Sequence, residues 1–144
     1  MNTEAMAKAF LDDALYSLKE AKEALNDGIY HRAIRRAQES VELALKAILR
    51  LFGIEYPKKH EISDVLNYLS QKRKLPAWFT SELDKICEIS KRLASERGPA
   101  FYGDERAFVP PKTLYNKDDA EKAINDCEYV VTLCSRVFEY WGST

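Results

Sequence analysis

The segment from residue 30 to residue 53 constrains the fold more than any other part of the chain. Its apolar side chains recur every three or four positions, which places them on one face of an α-helix. They are Ile34, Ala37, Val41, Ala44, Leu45, Ile48, Leu51 and Phe52. Gly53 then ends the helix, and Pro57 prevents it from resuming. The pattern predicts a helix whose apolar face lies in the core of a helical bundle.

The opposite face of this helix is charged. It carries Arg32, Arg35, Arg36, Glu39, Glu42, Lys46 and Arg50. Charges of both signs at helical spacing form weak pairs on a solvent-facing surface, each worth about 0.2–0.5 kcal/mol. We therefore interpret the arginine cluster as solvated rather than as a phosphate groove, and we expect His31 to be a solvated residue as well.

Helical periodicity accounts for most of the remaining chain. It predicts helices from about residue 3 to 26, from 61 to 72, from 78 to 97 and from 116 to 142. The tight turn at Asp27 and Gly28 makes the first two helices antiparallel neighbours. No segment shows the alternation of a strand. We predict an all-α fold, an up-and-down bundle of four long helices plus one short helix, in a single domain over residues 1–144.

Composition and charge exclude several classes of protein. A net charge of −1 removes any global argument for nucleic-acid binding, so only local patches could bind phosphate. No apolar run approaches the roughly 20 residues of a membrane span, and the first residues do not resemble a signal peptide. We expect a cytoplasmic protein with no membrane partner. The cysteines, which lack zinc-site spacing, are predicted to be small core residues of a reducing compartment; they are Cys87, Cys127 and Cys134.

The connection from Gly98 to Asn116 is the least regular part of the chain. Its glycines and prolines interrupt any period, and we expect Gly98 and Pro99 to end the preceding helix near Arg97. Aromatic side chains are frequent in it. A structureless connection of this length is more often functional, or packed down by its own aromatics, than idle.

The segments from Ala33 to Leu49 and from Pro57 to Leu66, AxxxxQESVELALKAIL and PKKHEISDVL, resemble the first half of a HEPN domain, the higher eukaryotes and prokaryotes nucleotide-binding domain. The likeness extends over most of the chain. It implies a helical bundle that forms a homodimer. Members are often encoded beside a minimal nucleotidyltransferase in toxin and antitoxin pairs, so the resemblance implies such a partner here.

The ribonucleases of this family are marked by an Arg followed about four to six residues later by a His, which supply a phosphate-binding cation and a proton acceptor. This chain lacks that pair. Its best positional match is Arg97, with Tyr102 in the place of the His. Because a tyrosine hydroxyl holds its proton at neutral pH, we predict that Arg97, Tyr102 and Arg106 form a nucleotide- or RNA-binding surface without catalysis. By the same resemblance, Tyr102 is a candidate for modification by a nucleotidyltransferase.

That surface has an alternative interpretation. Arg97 could pair with Glu96, Asp104 or Glu105 while the aromatic side chains pack the connection onto the bundle.

The second candidate cluster is basic. Lys58, Lys59 and His60 resemble the family's entry to the third helix and could bind phosphate. Alternatively His60 caps the helix that begins at Glu61, while both lysines point to solvent.

We predict, from these features, a non-catalytic nucleotide- or RNA-binding module. Two alternatives stay open: a metal-independent ribonuclease in which Arg97 acts with a residue other than His, and a helical interaction protein without a ligand. No Gly-rich phosphate loop, nucleophile elbow or zinc spacing occurs, so we expect no cofactor and no metal.

Overall fold

The computed structural model describes residues 3–54, 62–72 and 75–143. Within those ranges the chain forms seven helices and no strand. The helices are α1 (Thr3–Asn26), α2 (Tyr30–Leu51), α3 (Ile62–Gln71), α4 (Ala77–Thr80), α5 (Leu83–Tyr102), α6 (Pro111–Leu114) and α7 (Lys117–Ser143). The predicted all-α fold is confirmed: α1, α2, α5 and α7 are the four long helices, and α3 is the predicted short one.

The central helix of the bundle is α2, which packs against α1, α5 and α7. Its side chains Leu45, Ile48 and Leu49 are fully buried. Each such side chain stabilises the fold by about 1.5–3 kcal/mol through loss of apolar surface to water. The apolar face predicted from the three-and-four spacing is therefore the centre of the core. Only Phe52, at its end, remains partly exposed and packs against Trp141 of α7.

Two predicted boundaries match the structure. Asp27 and Gly28 connect α1 to α2 as the expected tight turn. Asn116 caps α7: its side-chain oxygen accepts a hydrogen bond from the Asp119 backbone N–H at 2.9 Å, and the Asp119 carboxylate accepts one from the Asn116 N–H at 2.9 Å. This reciprocal capping box fixes the start of α7 and so the end of the irregular connection.

The predicted fourth helix differs from the observed one at both ends. The single-turn α4 stands before α5, and α5 does not end near Arg97 but continues through Gly98 and Pro99 to Tyr102. Proline in a helix interior costs about 3 kcal/mol, so packing must offset it. Ala100, in the extra turn, is fully buried. Tertiary contacts therefore override the local stop signal.

The predicted structureless connection is also shorter and more ordered than expected. After α5, Asp104 and Val109 form an antiparallel bridge with backbone hydrogen bonds of 2.8 and 2.9 Å, and α6 follows at once. Phe108, inside this turn, has a positive φ of 57° and a side chain that is 92% exposed. The start of the connection is therefore a hydrogen-bonded turn, from which the Phe108 ring projects into solvent.

The cysteines lie in the core as expected. Cys87, Cys127 and Cys134 are free and buried. Burial raises the pKa of Cys127 to about 11, although a hydrogen bond with Ser40 acts in the opposite direction. Among the described residues, no helix has the length and apolarity that crossing a membrane requires.

Candidate functional site

Arg97 lies on the last turns of α5, at the edge of a groove between α5 and α2. The groove has a volume of about 380 Å³, and its lining residues are Arg35, Arg36, Gln38, Glu39, Glu42, Leu43, Arg97 and Phe101. The Arg97 side chain is 71% exposed and makes one long ion pair, 3.8 Å from Glu42. Since exposed pairs at this distance contribute little, the guanidinium remains available to an anion.

Arg35 reaches across this groove from α2 to α5. Its guanidinium carbon lies 4.1 Å from the centroid of the Phe101 ring. Within the described part of the chain, no carboxylate comes within 4.0 Å of this guanidinium. A guanidinium stacked on an aromatic face keeps its donors free at its edge. Arg35 and Arg97 therefore present two cations to one groove.

The carboxylates of the groove are partly neutralised by their neighbours. Arg36 donates to Glu39 at 2.6 Å and lies 3.9 Å from Glu20 of α1. The hydrogen bond to Glu39 raises the pKa of Arg36. Glu42 forms the ion pair with Arg97 described above. The groove thus combines three arginines with two engaged carboxylates, and its net charge is positive.

Positive charge continues toward the start of α2. Burial, followed by the charges of Arg32, Arg35 and Lys112, lowers the pKa of His31. The His31 Nδ1 atom is buried and has no hydrogen-bond partner among the described residues, so His31 is not the fully solvated residue expected from the sequence. Because these three cations come from α2 and α6, the basic surface extends from the groove to the end of the irregular connection.

Tyr102 and Arg106 line a different cavity, of about 710 Å³, beside the bridged turn. Its lining residues are Gly98, Pro99, Tyr102, Gly103, Asp104, Glu105, Arg106, Leu114 and Tyr115. Tyr115 donates its hydroxyl hydrogen bond to Glu96, and burial and that bond raise the pKa of Tyr115. One wall of the cavity is therefore fixed to α5.

The opposite wall of this cavity is the bridged turn. Gly103 adopts a φ of +76°, and a Cβ atom placed there would lie 2.2 Å from the Val109 carbonyl oxygen, so only glycine fits. Asp104 Oδ1 accepts a hydrogen bond from the Ala107 backbone N–H at 3.1 Å. In the described part of the chain, neither an ion pair nor a hydrogen bond engages the Glu105 or Arg106 side chain. The turn therefore presents adjacent acceptors and donors on a fixed backbone.

The groove and the cavity meet at an aromatic ridge, formed by Phe101 and Tyr102. Their ring centroids are 4.7 Å apart. Phe101 is 52% and Tyr102 63% exposed, and each lines one of the two hollows. A strand of nucleotides crossing the ridge would meet arginines on one side and the turn on the other.

The structure thus separates the site residues predicted from the sequence. Arg97 belongs to the groove, while Tyr102 and Arg106 belong to the cavity. The alternative pairing of Arg97 with Glu96, Asp104 or Glu105 is wrong, since its ion pair is with Glu42. The aromatic part of that alternative is confirmed for Tyr115, which packs against the core, whereas Tyr102 and Phe108 are exposed. Lys58, Lys59 and His60 lie outside the described residues.

The contribution of Arg35 was not predicted from the sequence. Its cluster with Arg32 and Arg36 was visible, but the contact with Phe101 depends on the extra turn of α5 that local signals did not predict. The expected pair lattice is confirmed only for Arg36 and Glu39. The signal that could have identified the groove is the arginine excess at the start of α2, where no carboxylate precedes Glu39.

Both the sequence and the fold of the chain are similar to those of known proteins. The model of the HEPN domain matches residues 7–137. The chain is 31% identical over 129 residues to a protein of Methanocaldococcus jannaschii named "Putative toxin MJ1304", covering 87% of this chain and 83% of that protein.

Two solved structures have the same fold. TT1696 from Thermus thermophilus superposes with a TM-score of 0.71 at 25% identity, covering 90% of this chain and 96% of that one. ST0689, described as an archaeal HEPN homologue, gives a TM-score of 0.67 at 24% identity, covering 92% and 97%. The helical fold is therefore shared over about nine-tenths of this chain.

Proposed function

The chain belongs to the HEPN domain family, and from this premise we propose that it binds short single-stranded RNA or nucleotides without cleaving them. The observation that carries the proposal is the aromatic ridge of Phe101 and Tyr102. It separates the groove that contains Arg35 and Arg97, the arginine groove, from the cavity beside the bridged turn, the turn cavity. Single-stranded nucleic acid is held by cations that contact its phosphates and by aromatic rings on which its bases stack.

The groove supplies the phosphate contacts in this proposal. Arg97 and Arg35 offer fork-shaped donors from two different helices, and phosphates prefer such donors. The ridge supplies the stacking surface, since Phe101 and Tyr102 are both more than half exposed. The charge of the whole protein does not oppose this, because binding depends on the local patch.

The absence of cleavage is the second part of the proposal. Cleavage without a metal needs a proton acceptor beside the phosphate-binding cation. By the family resemblance, Tyr102 stands where a ribonuclease of the family has its His, so the imidazole that would accept the proton is missing at this position. Tyr102 also lines a different hollow from Arg97. The two side chains therefore support binding rather than a shared chemical step.

Titration of a fluorescent oligouridylate with the full chain tests binding. Replacing Arg97 with Ala should weaken affinity about tenfold, the effect of losing one charge-assisted hydrogen bond. The matched control is Lys19→Ala, which removes a similarly exposed cation, paired with Glu23 at 4.0 Å on α1. Unchanged affinity in Arg97→Ala, or equal losses in both variants, would exclude the groove.

The same RNA, incubated with the protein and EDTA, tests the ribonuclease alternative. Intact RNA after prolonged incubation is the expected result. Fragments that persist in EDTA and disappear in Arg97→Ala would favour the enzyme instead. A contaminating nuclease would cleave equally in both preparations.

We propose in addition that the protein works with a minimal nucleotidyltransferase in a toxin-antitoxin-like pair. This rests on the family resemblance and on the relative named as a toxin. Tyr102 is an accessible target for that partner, whereas the Tyr115 hydroxyl is engaged by Glu96. Co-expression with the neighbouring reading frame should give a nucleotidylated protein by mass spectrometry. Tyr102→Phe should abolish the modification and Tyr115→Phe should retain it.

A further inference from the structure

The turn cavity contains polar side chains that have no role in the phosphate binding and aromatic stacking proposed above. Glu105 and Arg106 are adjacent on the bridged turn and face the same cavity as Tyr102 and Tyr115. Both are free of ion pairs within the described residues. An acceptor and a donor fork beside the exposed ring of Tyr102 suit the edge of a base better than a phosphate, because a carboxylate repels phosphate.

We propose that this cavity recognises guanine among the RNA bases. The inference rests on the proposed function, since it assumes that the ridge binds RNA. The base would stack on Tyr102, Glu105 would accept hydrogen bonds from its Watson–Crick edge, and Arg106 would donate to its carbonyl oxygen. Asp104 supplies a second acceptor, since only its Oδ1 atom is engaged, by the Ala107 N–H.

Guanine is selected by the pattern of its donors and acceptors. Its Watson–Crick edge carries two neighbouring donors, the N1–H and the N2 amine, followed by the O6 acceptor. An ionised carboxylate accepts only, and a guanidinium donates only. Glu105 with Arg106 therefore complements the whole edge of guanine.

The other bases fit this pair less well. Adenine and cytosine place a single amine next to an acceptor nitrogen, whose lone pair the carboxylate would repel. Uracil offers one N–H between two carbonyl oxygens. A site built for two donors rejects bases that lack one of them, because its polar groups are then left unpaired.

The geometry of the turn makes such selection physically reasonable. The Asp104–Val109 bridge, the Asp104 side-chain bond and the positive φ of Gly103 hold the backbone of residues 104 to 109 in one conformation. Tyr115 is held to α5 through Glu96. Binding of a base would therefore order only the Glu105 and Arg106 side chains and not the backbone that carries them.

The test compares short oligouridylates that carry one central guanosine, inosine or adenosine, together with plain oligouridylate. Inosine differs from guanosine only by the missing N2 amine. We expect the guanosine oligonucleotide to bind about tenfold more tightly than the inosine one, since one charge-assisted hydrogen bond is lost. Plain oligouridylate should bind with the affinity that the groove and ridge provide.

Conservative variants assign the effect to the turn. Glu105→Gln should bring the ratio of guanosine to inosine oligonucleotide affinity close to one, while its affinity for plain oligouridylate should not fall, because the lost carboxylate repels phosphate. Asp104→Asn keeps the Oδ1 acceptor for the Ala107 N–H, so it tests the charge of Asp104 without breaking the turn. Glu88→Gln, an exposed residue of α5 away from the cavity, is the matched control.

The outcomes separate this inference from the proposed function. Equal affinity for guanosine, inosine and adenosine oligonucleotides, with plain oligouridylate still bound, would overturn the guanine site alone. A guanosine preference that survives in both Glu105→Gln and Asp104→Asn would also overturn it. Failure of every oligonucleotide to bind would overturn the proposed function and this inference together.

Discussion

Arg97 and Tyr102 lie on the same helix but line different hollows of the surface. Successive residues of an α-helix are rotated by about 100°, so residues five apart are separated by about 140° around the axis. Had α5 ended at Arg97, the chain after it could have folded Tyr102 back beside the guanidinium. Because α5 continues to Tyr102, the two side chains are held on different faces.

This separation predicts that the two residues contribute independently to RNA binding. The losses in free energy of binding from Arg97→Ala and Tyr102→Ala should add within about 0.3–0.5 kcal/mol in the double variant, as for residues that do not contact each other. Arg35→Ala and Phe101→Ala form the control cycle. The Arg35 guanidinium carbon lies 4.1 Å from the Phe101 ring centroid, so the losses in binding free energy from these two substitutions should not add. Strong coupling between Arg97 and Tyr102 would indicate one composite site. Titration with fluorescent RNA measures all of these energies.

Gly103 gives a second prediction, on the turn itself. In Gly103→Ala the new Cβ would meet the Val109 carbonyl at 2.2 Å on a left-handed backbone. We expect a loss of about 1–3 kcal/mol in the free energy of unfolding, the usual cost of such strain, and loss of selective base binding. Urea denaturation and RNA titration are the measurements.

The matched control for that variant is Gly98→Ala. Gly98 lies inside α5, and apart from the adjacent backbone of that helix no atom of the described residues lies within 4 Å of a Cβ built there. Alanine is favoured over glycine in a helix by about 0.5–1 kcal/mol, so this variant should be more stable than the wild type. If both variants destabilise the protein equally, the positive φ of Gly103 is not the cause.

Local sequence signals were sufficient to predict the bundle but not the end of α5 and the turn that follows it. The apolar spacing of α2 predicted its buried face, and helical periodicity predicted the start of α7 near residue 116. The end of α5 was missed because its stop signals, Gly98 and Pro99, are outweighed by the burial of Ala100. The groove was not predicted for the same reason, because Phe101 contacts Arg35 only when α5 includes the extra turn.

Phe108 gives the prediction on oligomeric state. Its ring is 92% exposed, and the bridged turn holds it at the surface, where burial against a second copy would stabilise a dimer by about 1.5–3 kcal/mol for each ring. We expect the protein to be a homodimer, as the family resemblance implies, with Phe108 in the interface. Phe108→Ser should shift the mass measured by light scattering from dimer to monomer. Tyr16→Ser, an exposed aromatic of α1, is the control and should leave the mass unchanged. A wild-type monomer, or a dimer that persists in Phe108→Ser, would contradict this.

His31 gives the last prediction, on pH. Burial and the charges of Arg32, Arg35 and Lys112 lower the pKa of His31 in the folded protein below its unfolded value of about 6.5. As pH falls through 6.5, the unfolded chain binds this proton more readily, so the free energy of unfolding should decrease. His31→Gln should reduce that decrease, as measured by urea denaturation between about pH 7.5 and pH 5.5.

RNA binding should act on the same group in the opposite direction. Phosphates that pair with Arg35 would offset its repulsion of the His31 proton, so the pKa of His31 should rise when RNA is bound. NMR titration of the histidine ring protons measures this shift, and His31→Gln identifies the signal, since the only other histidine is His60. By linkage, RNA affinity should then increase as pH falls toward 6. A His31 pKa that RNA leaves unchanged would mean that phosphate does not reach the start of α2, and the binding surface would end at Arg97.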